Sequence, residues 1–275
     1  MPSRRPRVSR TVEGHVARKR YGQNFLADPH YIARIADAVA PRPGERVVEI
    51  GPGLGALTGA LIARAGTIVA IEIDRDLAAR LREQYTADQL ELVVGDALEI
   101  DLTLLGTNLR VVGNLPYNIS SPILFHLAAQ AHALRDLTVM LQKEVVARMT
   151  AAPGTPDYGR LTVMLQATFR IERLFVVPAG AFRPVPKVES AVARLVPLRE
   201  DAPRIDDKAL FARIVAGAFM QRRKTLRNAL SHITDEATLT SAGIDPQARG
   251  ETLGVADFVR LTDAVKARAA ASQDR

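Results

Sequence analysis

Glu72, Asp96 and Asn114 each stand at or just past the end of a short apolar, β-branched run, and the turn EIGPGLGALT (49–58) leaves another such run. In an open parallel sheet, ligands bind outside the carboxyl ends of the strands, so these ends are where chemistry is expected. Gly51, Gly53 and Gly55 permit positive φ and close backbone approach, which lets a cofactor lie against the start of the next helix. Glu72 lies 21 residues beyond Gly51, the spacing at which a carboxylate accepts both hydroxyls of a ribose. Asp96 can accept the exocyclic amine of an adenine while Ala97 offers a backbone N–H, although an Asp here also serves simply to cap a turn. On the glycines alone a second reading stands: Gly51, Gly53 and Ala56 fit the loose dinucleotide fingerprint G-x-G-x-x-A of nicotinamide and flavin enzymes.

The fourth end, Asn114-Leu115-Pro116-Tyr117, separates these readings. Hydride transfer needs no such group. Methylation of an exocyclic base amine does, because the nitrogen lone pair is delocalised into the ring and is a poor nucleophile. The Asn114 side-chain oxygen and the Leu115 carbonyl can each accept one amine hydrogen and hold the nitrogen in line with a methyl donor. Pro116 stiffens the loop, and Tyr117 offers a face on which the base stacks. No general base is required, since the amine becomes acidic once methylated and releases its proton to water. The plainer reading of these residues is a strand-ending turn with a buried Tyr.

The runs RVVEI (46–50), TIVAIEI (67–73), LELVV (90–94) and LRVVG (109–113) alternate with helical patterns, which predicts βαβ units and a parallel sheet. LTVML (137–141) makes a fifth strand, and LFVV (174–177) with AVARLVPL (191–198) supplies two more. The last two are joined by PAGAFRPVPKVES, too short for a helical crossover, so they should pair antiparallel. Ahead of the sheet, DPHYIARIADAVA spaces Ile32, Ile35, Ala36 and Val39 as one helix face, with Asp28 as N-cap and Pro29 in the first turn. Gly66 is placed to end the helix after the glycine-rich turn. KEVVARM and GRLTVMLQATF read as core-packed helices. From about residue 203 the pattern is helical only, with Leu210, Ile214, Phe219, Leu226 and Leu230 at buried spacing. The expected division is a basic arm (1–20), an α/β domain (21–200) and a small helical domain (201–275).

Of the formal charge of +7, residues 1–20 carry +6, from seven basic residues and one Glu. Such a head either contacts phosphate or is a solvated tail. The chain has no cysteine, which excludes disulfides, thiol nucleophiles and Cys-ligated metals, and its five histidines lack ligand-like spacing, so no metal is expected. No apolar run is long enough for a membrane span or a signal peptide, which makes the cytoplasm the expected location. Nothing in the sequence demands a dimer, and a monomer is expected.

The segments GQNFL (22–26), EIGPGLGALT, NLPYNIS, FRPVPKVESAV (182–192) and QRRKTLRNAL (221–230) together resemble the ribosomal RNA adenine dimethyltransferases, in the correct order from residue 14 to about 260. The resemblance implies a Rossmann-like seven-stranded methyltransferase sheet with a C-terminal helical domain, and S-adenosylmethionine as cofactor. It implies that Asn24 and Leu26 contact that cofactor, Gly51 its methionine part, Glu72 its ribose and Asp96 its adenine. Asn114 would face both cofactor and target amine. Phe182, which would otherwise be read as core, is implied to stack on the target base opposite Tyr117. The family's last domain helps grip RNA, and Arg222, Arg223, Lys224 and Arg227 form a basic run suited to phosphate, with Lys143, Arg148 and Arg160 as weaker candidates.

The implied activity is N6-dimethylation of two adjacent adenines in small-subunit (16S) ribosomal RNA during ribosome biogenesis, with the immature small subunit as partner. The alternatives are a large-subunit adenine methyltransferase of the antibiotic-resistance type and an assembly factor acting mainly by binding.

Overall fold

The computed structural model describes residues 11–16, 18, 22–221 and 223–273 of the 275-residue chain. Residues 1–10 of the basic arm and Arg222 lie outside the described residues. The expected runs form one seven-stranded sheet: β1 (Val47–Ile50), β2 (Ile68–Glu72), β3 (Leu90–Val94), β4 (Leu109–Asn114), β5 (Leu134–Gln142), β6 (Phe169–Val177) and β7 (Ser190–Pro197). Their order is β3-β2-β1-β4-β5-β7-β6. Strands β1 to β5 pair in parallel, and β7 runs antiparallel to β5 with Ser190 opposite Gln142. Val47, Val48, Val69, Val111 and Val139 have no accessible surface, as expected of parallel strands covered on both faces. Each such burial contributes about 1.5–3 kcal/mol before entropy is counted.

Helix α1 (Pro29–Val39) starts where predicted: the Asp28 carboxylate accepts the His30 N–H at 2.9 Å, and Ile35, Ala36 and Val39 are buried. Helix α2 (Ala56–Ala65) ends at Gly66, whose φ of 84° lies in the left-handed region. Helices α3 (Arg75–Gln84) and α4 (Ser120–Ala129) complete the connections flanking β2 to β5, and α5 (Lys143–Met149) follows β5. Residues 11–16 are not a free tail: they form a small antiparallel hairpin, and Arg80 of α3 donates to the Glu13 carbonyl at 2.6 Å and carboxylate at 3.1 Å.

The chain divides into two compact units, one running to Val146 and including Glu172–Pro197, the other comprising Ala147–Ile171 and the chain from Leu198. The sheet lies in the first, apart from the opening residues of β6 (169–171). The second takes in the short helix α6 (Arg160–Gln166) as well as the C-terminal helices, because Tyr158, Val163 and Ala167 bury themselves with Phe211, Ile214, Leu226, Leu230 and Phe258. The Tyr158 hydroxyl donates to the Leu253 carbonyl at 2.7 Å, which satisfies its polar end. Leu210 and Phe219, expected to be buried, are partly so and pack against this cluster.

Two element boundaries differ from the sequence expectation. The helix read through Phe169 stops at Gln166, and β6 begins at Phe169 rather than Leu174; the Thr168 carbonyl accepts the Leu198 N–H at 2.8 Å and draws the chain into extended form. The helical pattern that begins after residue 203 is interrupted, giving α7 (Lys208–Met220) and α8 (Leu226–Ala229). It breaks because the N–H groups of Leu226 and Arg227 are taken by the carbonyls of Ala248 and Pro246, at 2.8 and 3.0 Å. Helices α9 (Glu236–Ser241) and α10 (Val255–Gln273) follow. Among the described residues, no helix is long and apolar enough to cross a membrane.

Candidate active site

The strand order reverses between β1 and β4, and the carboxyl ends of β1 to β4 surround a cavity of about 290 Å³. Asn24, Leu26, Gly51, Gly53, Glu72, Asp96 and Ala97 line it, as do Asn114, Leu115, Pro116 and Tyr117. Residues far apart in sequence are thus brought to one wall by the topology alone.

Gly53 shows why glycine is required in the turn: its φ is +62°, and an added Cβ would lie 2.9 Å from the Phe25 ring. Its N–H donates to Glu72 Oε2 at 3.1 Å, while Glu72 Oε1 accepts the Asp74 N–H at 2.8 Å. Burial pushes the Glu72 carboxyl up, and these two donors oppose the shift. Each oxygen keeps a second lone pair for a ligand hydroxyl. Asp96 caps its turn, with Oδ1 accepting the Leu98 N–H at 2.9 Å, so the plainer reading holds for one of its oxygens.

The Asn114 side-chain NH₂ donates to the Asn24 carbonyl at 2.9 Å. That bond fixes the amide orientation and leaves Oδ1 as the acceptor. The Leu115 N–H donates to the Met140 carbonyl of β5 at 3.1 Å, which holds the following peptide in place beneath a fully buried side chain. Gly113, just before them, admits no side chain, since a Cβ there would meet the Ile50 carbonyl at 2.6 Å. The Tyr117 hydroxyl lies 2.6 Å from Ser190 Oγ, and burial pushes its pKa up.

Phe182 is a correction. It has no accessible surface, pairs with Leu26 in a two-residue ribbon and belongs to the core with Ile35, Val39 and Leu61. A ring without exposed area offers no face to a base, so the core reading of its type prevails here. In the helical unit, Arg223 and Lys224 are exposed in the turn between α7 and α8, not along one helix face, and Arg227 is paired with Glu236 at 3.3 Å. Lys143 pairs with Glu189 at 2.8 Å.

Several site residues escaped the sequence reading. Asp74, fully buried, accepts from Arg18 at 2.9 Å and from Gln23 at 3.1 Å, and its own N–H reaches Glu72, so it ties the QNFL segment to the ribose-type carboxylate. Glu49 also lines the cavity, 2% exposed, with Thr58 Oγ1 donating to it at 2.6 Å. Burial pushes its pKa up to about 7 despite the Thr58 bond, and the Glu72 carboxylate adds to the shift.

That shift has a sign in stability. The ordinary value is 4.5, so between there and about 7 the folded protein binds the proton that the unfolded chain releases, and stability falls as pH rises across this window. Glu49→Gln keeps the shape and the acceptor for Thr58 but carries no charge. It is expected to stabilise the free protein by about 1–3 kcal/mol at pH 8 and by almost nothing at pH 4. Thermal unfolding at the two pH values measures this, and an equal effect at both would refute the assignment.

The family described as ribosomal RNA adenine dimethylase matches residues 14–267. The protein named ribosomal RNA small subunit methyltransferase A from Aromatoleum aromaticum is 59% identical over 254 residues, covering 92% of this chain and 96% of its own length. Its namesake from Bordetella pertussis is 53% identical over 94% of this chain and 98% of its own. Among solved structures, a dimethyladenosine transferase from Plasmodium falciparum superposes with a TM-score of 0.74 at 25% identity, over 86% of this chain and 95% of that one. The 23S rRNA methyltransferase ErmE gives 0.66 at 32% identity, over 88% of this chain and all of that one. The nicotinamide reading of the glycine turn falls away against these matches. Motifs, sheet order and relatives agree that the chain belongs to the ribosomal RNA adenine dimethylase family.

Proposed function

We propose that this ribosomal RNA methyltransferase transfers methyl groups from S-adenosylmethionine to the N6 amines of two adjacent adenines in small-subunit ribosomal RNA. The observation that carries the reading is the Asn114 amide: its NH₂ is committed to the Asn24 carbonyl at 2.9 Å, so its oxygen is the group available to a target amine. The names of the relatives at 53–59% identity favour the small subunit over the large-subunit activity of ErmE, which is 32% identical.

The wall of the cavity fits the cofactor. Gly53 leaves room where a Cβ would collide, the Glu72 carboxylate can accept the ribose hydroxyls, and Asp96 Oδ2 and the Ala97 N–H suit an adenine edge. Asn24 and Leu26 would cover it from the N-terminal segment, and Gly51 would approach its methionine part. S-adenosylmethionine, when bound, supplies an electrophilic methyl on its sulfonium. Asn114 Oδ1 and the Leu115 carbonyl hold the amine in line, Pro116 keeps the loop rigid, and the Tyr117 ring supports the base. The exposed Arg223 and Lys224 would contact RNA phosphates, with the immature subunit as the docking partner, the chain acting as a monomer in the cytoplasm.

Incubation of the protein with each purified, unmodified ribosomal subunit and methyl-labelled S-adenosylmethionine tests the reading. Label is expected in the small subunit, as dimethyladenosine at neighbouring positions. Label confined to the large subunit would overturn the substrate, and tight small-subunit binding without label would point to an assembly factor.

A further inference from the structure

Tyr117 follows β4 and Ser190 opens β7, and in the sheet β5 lies between those two strands. Registers at the carboxyl end of β5 bring them together: Asn114 is opposite Met140, and Ser190 is opposite Gln142. The Tyr117 side chain therefore reaches across the end of β5 to a hydroxyl that comes 73 residues later in the chain, at 2.6 Å.

Ser190 is suited to hold something still. It has no accessible surface, it sits in the β5–β7 ladder, and the residue before it is anchored twice to the start of the next helix, through the Glu189 carbonyl to the Lys143 N–H at 3.0 Å and through the Glu189 carboxylate to Lys143 Nζ at 2.8 Å. Tyr117, by contrast, opens a single 3₁₀ turn (Tyr117–Ile119) after β4 and lines the cavity. A half-buried phenol needs a partner, because an unpaired hydroxyl out of water costs more than the bond itself gains.

We propose that Ser190 is a positioning residue for methyl transfer: its hydroxyl fixes the tilt of the Tyr117 ring, and thereby the plane in which the target base is held beside Asn114. The proposal rests on the adenine-methylating reading of the cavity. It explains why a tyrosine serves where a phenylalanine would stack as well: the hydroxyl is the handle by which β7 sets the ring. Ser190 is the one hydrogen-bond partner of the Tyr117 hydroxyl among the described residues, so one substitution removes the handle.

Two measurements test this. Urea unfolding of Ser190→Ala, Tyr117→Phe and the double variant reads the contact without any RNA. The double variant is expected to lose less than the sum of the two single losses, and additive losses would overturn the contact. Single-turnover methylation of unmodified small subunits then reads the role. Ser190→Ala and Tyr117→Phe are each expected to slow methyl transfer about three- to tenfold, with the double variant no slower than Tyr117→Phe alone and cofactor affinity unchanged. A wild-type rate in Ser190→Ala would overturn the positioning role even if the stability cycle shows coupling. Absence of transfer by the wild-type protein itself would instead sink the proposed function, and the positioning role with it, while the cycle still reports the hydrogen bond.

Discussion

Asn114→Ala is expected to slow methyl transfer to ribosomal RNA by about 10²–10³-fold, the usual loss when a preorganised polar contact to a reacting group is deleted, while RNA affinity stays within about twofold. Asn114 is only one of many contacts to a large RNA, so binding should not register its loss. The chemistry should, because the amine nitrogen is made reactive only by being held with its hydrogens engaged and its remaining electrons facing the methyl group. Asn114→Asp sharpens the test. It preserves acceptor oxygens but loses the NH₂ that donates to the Asn24 carbonyl, and sets a carboxylate against that oxygen instead. If orientation by Asn24 matters, the Asp variant is also slow. Single-turnover rates with labelled cofactor, set beside filter binding of the same RNA, give both numbers; an Ala variant that methylates at the wild-type rate removes the mechanism.

The walls of the site were legible because a parallel sheet converts order along the chain into position in space. Once four apolar runs are recognised as β1 to β4, the residues after them must share one edge, and Gly51, Glu72, Asp96 and Asn114 do. What holds those walls was not legible. Gln23 reaches Asp74 across 51 residues and Tyr117 reaches Ser190 across 73, and each partner is an ordinary polar residue whose role comes only from the fold. Glu49 could have been found, since a charged residue inside an otherwise apolar strand of a parallel sheet must be buried and so must have a purpose. Phe182 went the other way. Family resemblance promoted it to the base-binding face, while its apolar neighbours and its pairing with Leu26 put it in the core. The basic run is continuous in sequence, whereas the carbonyls of Pro246 and Ala248, which take the N–H groups of Arg227 and Leu226 and so start α8 only after Arg223 and Lys224, lie some twenty residues downstream.

Arg110→Met is expected to destabilise the protein by about 3–5 kcal/mol near neutral pH, the usual cost of stranding a buried charge by removing its partner. Arg110, at the start of β4, is 5% exposed and spans two carboxylates. Its Nε and Nη2 donate to Asp136 at 3.1 and 2.9 Å, and Nη1 donates to Glu45 at 2.8 Å and to the Ala40 carbonyl at 3.2 Å. Burial alone would raise the Glu45 carboxyl, but hydrogen bonds from Arg110, the Arg42 backbone and Arg135 outweigh it and hold the pKa at about 2, against an ordinary 4.5. A carboxyl depressed on folding contributes stability that is complete above 4.5 and is lost as pH falls through about 2. Without Arg110, Glu45 loses one of the hydrogen bonds and the charge that hold its carboxyl down, so in the variant it takes up its proton at higher pH and relieves part of the penalty. The gap between variant and wild type should therefore be largest at pH 7 and shrink steadily toward pH 3, which urea unfolding at the two values measures. A gap that stays the same in acid would mean that Arg110 acts through packing of its stem rather than its charge. The distinction matters because a buried ion network is weak grounds for net stability: replacing all three side chains by apolar ones could cost little, whereas removing the cation alone leaves the buried Asp136 carboxylate without the guanidinium that donates to both its oxygens.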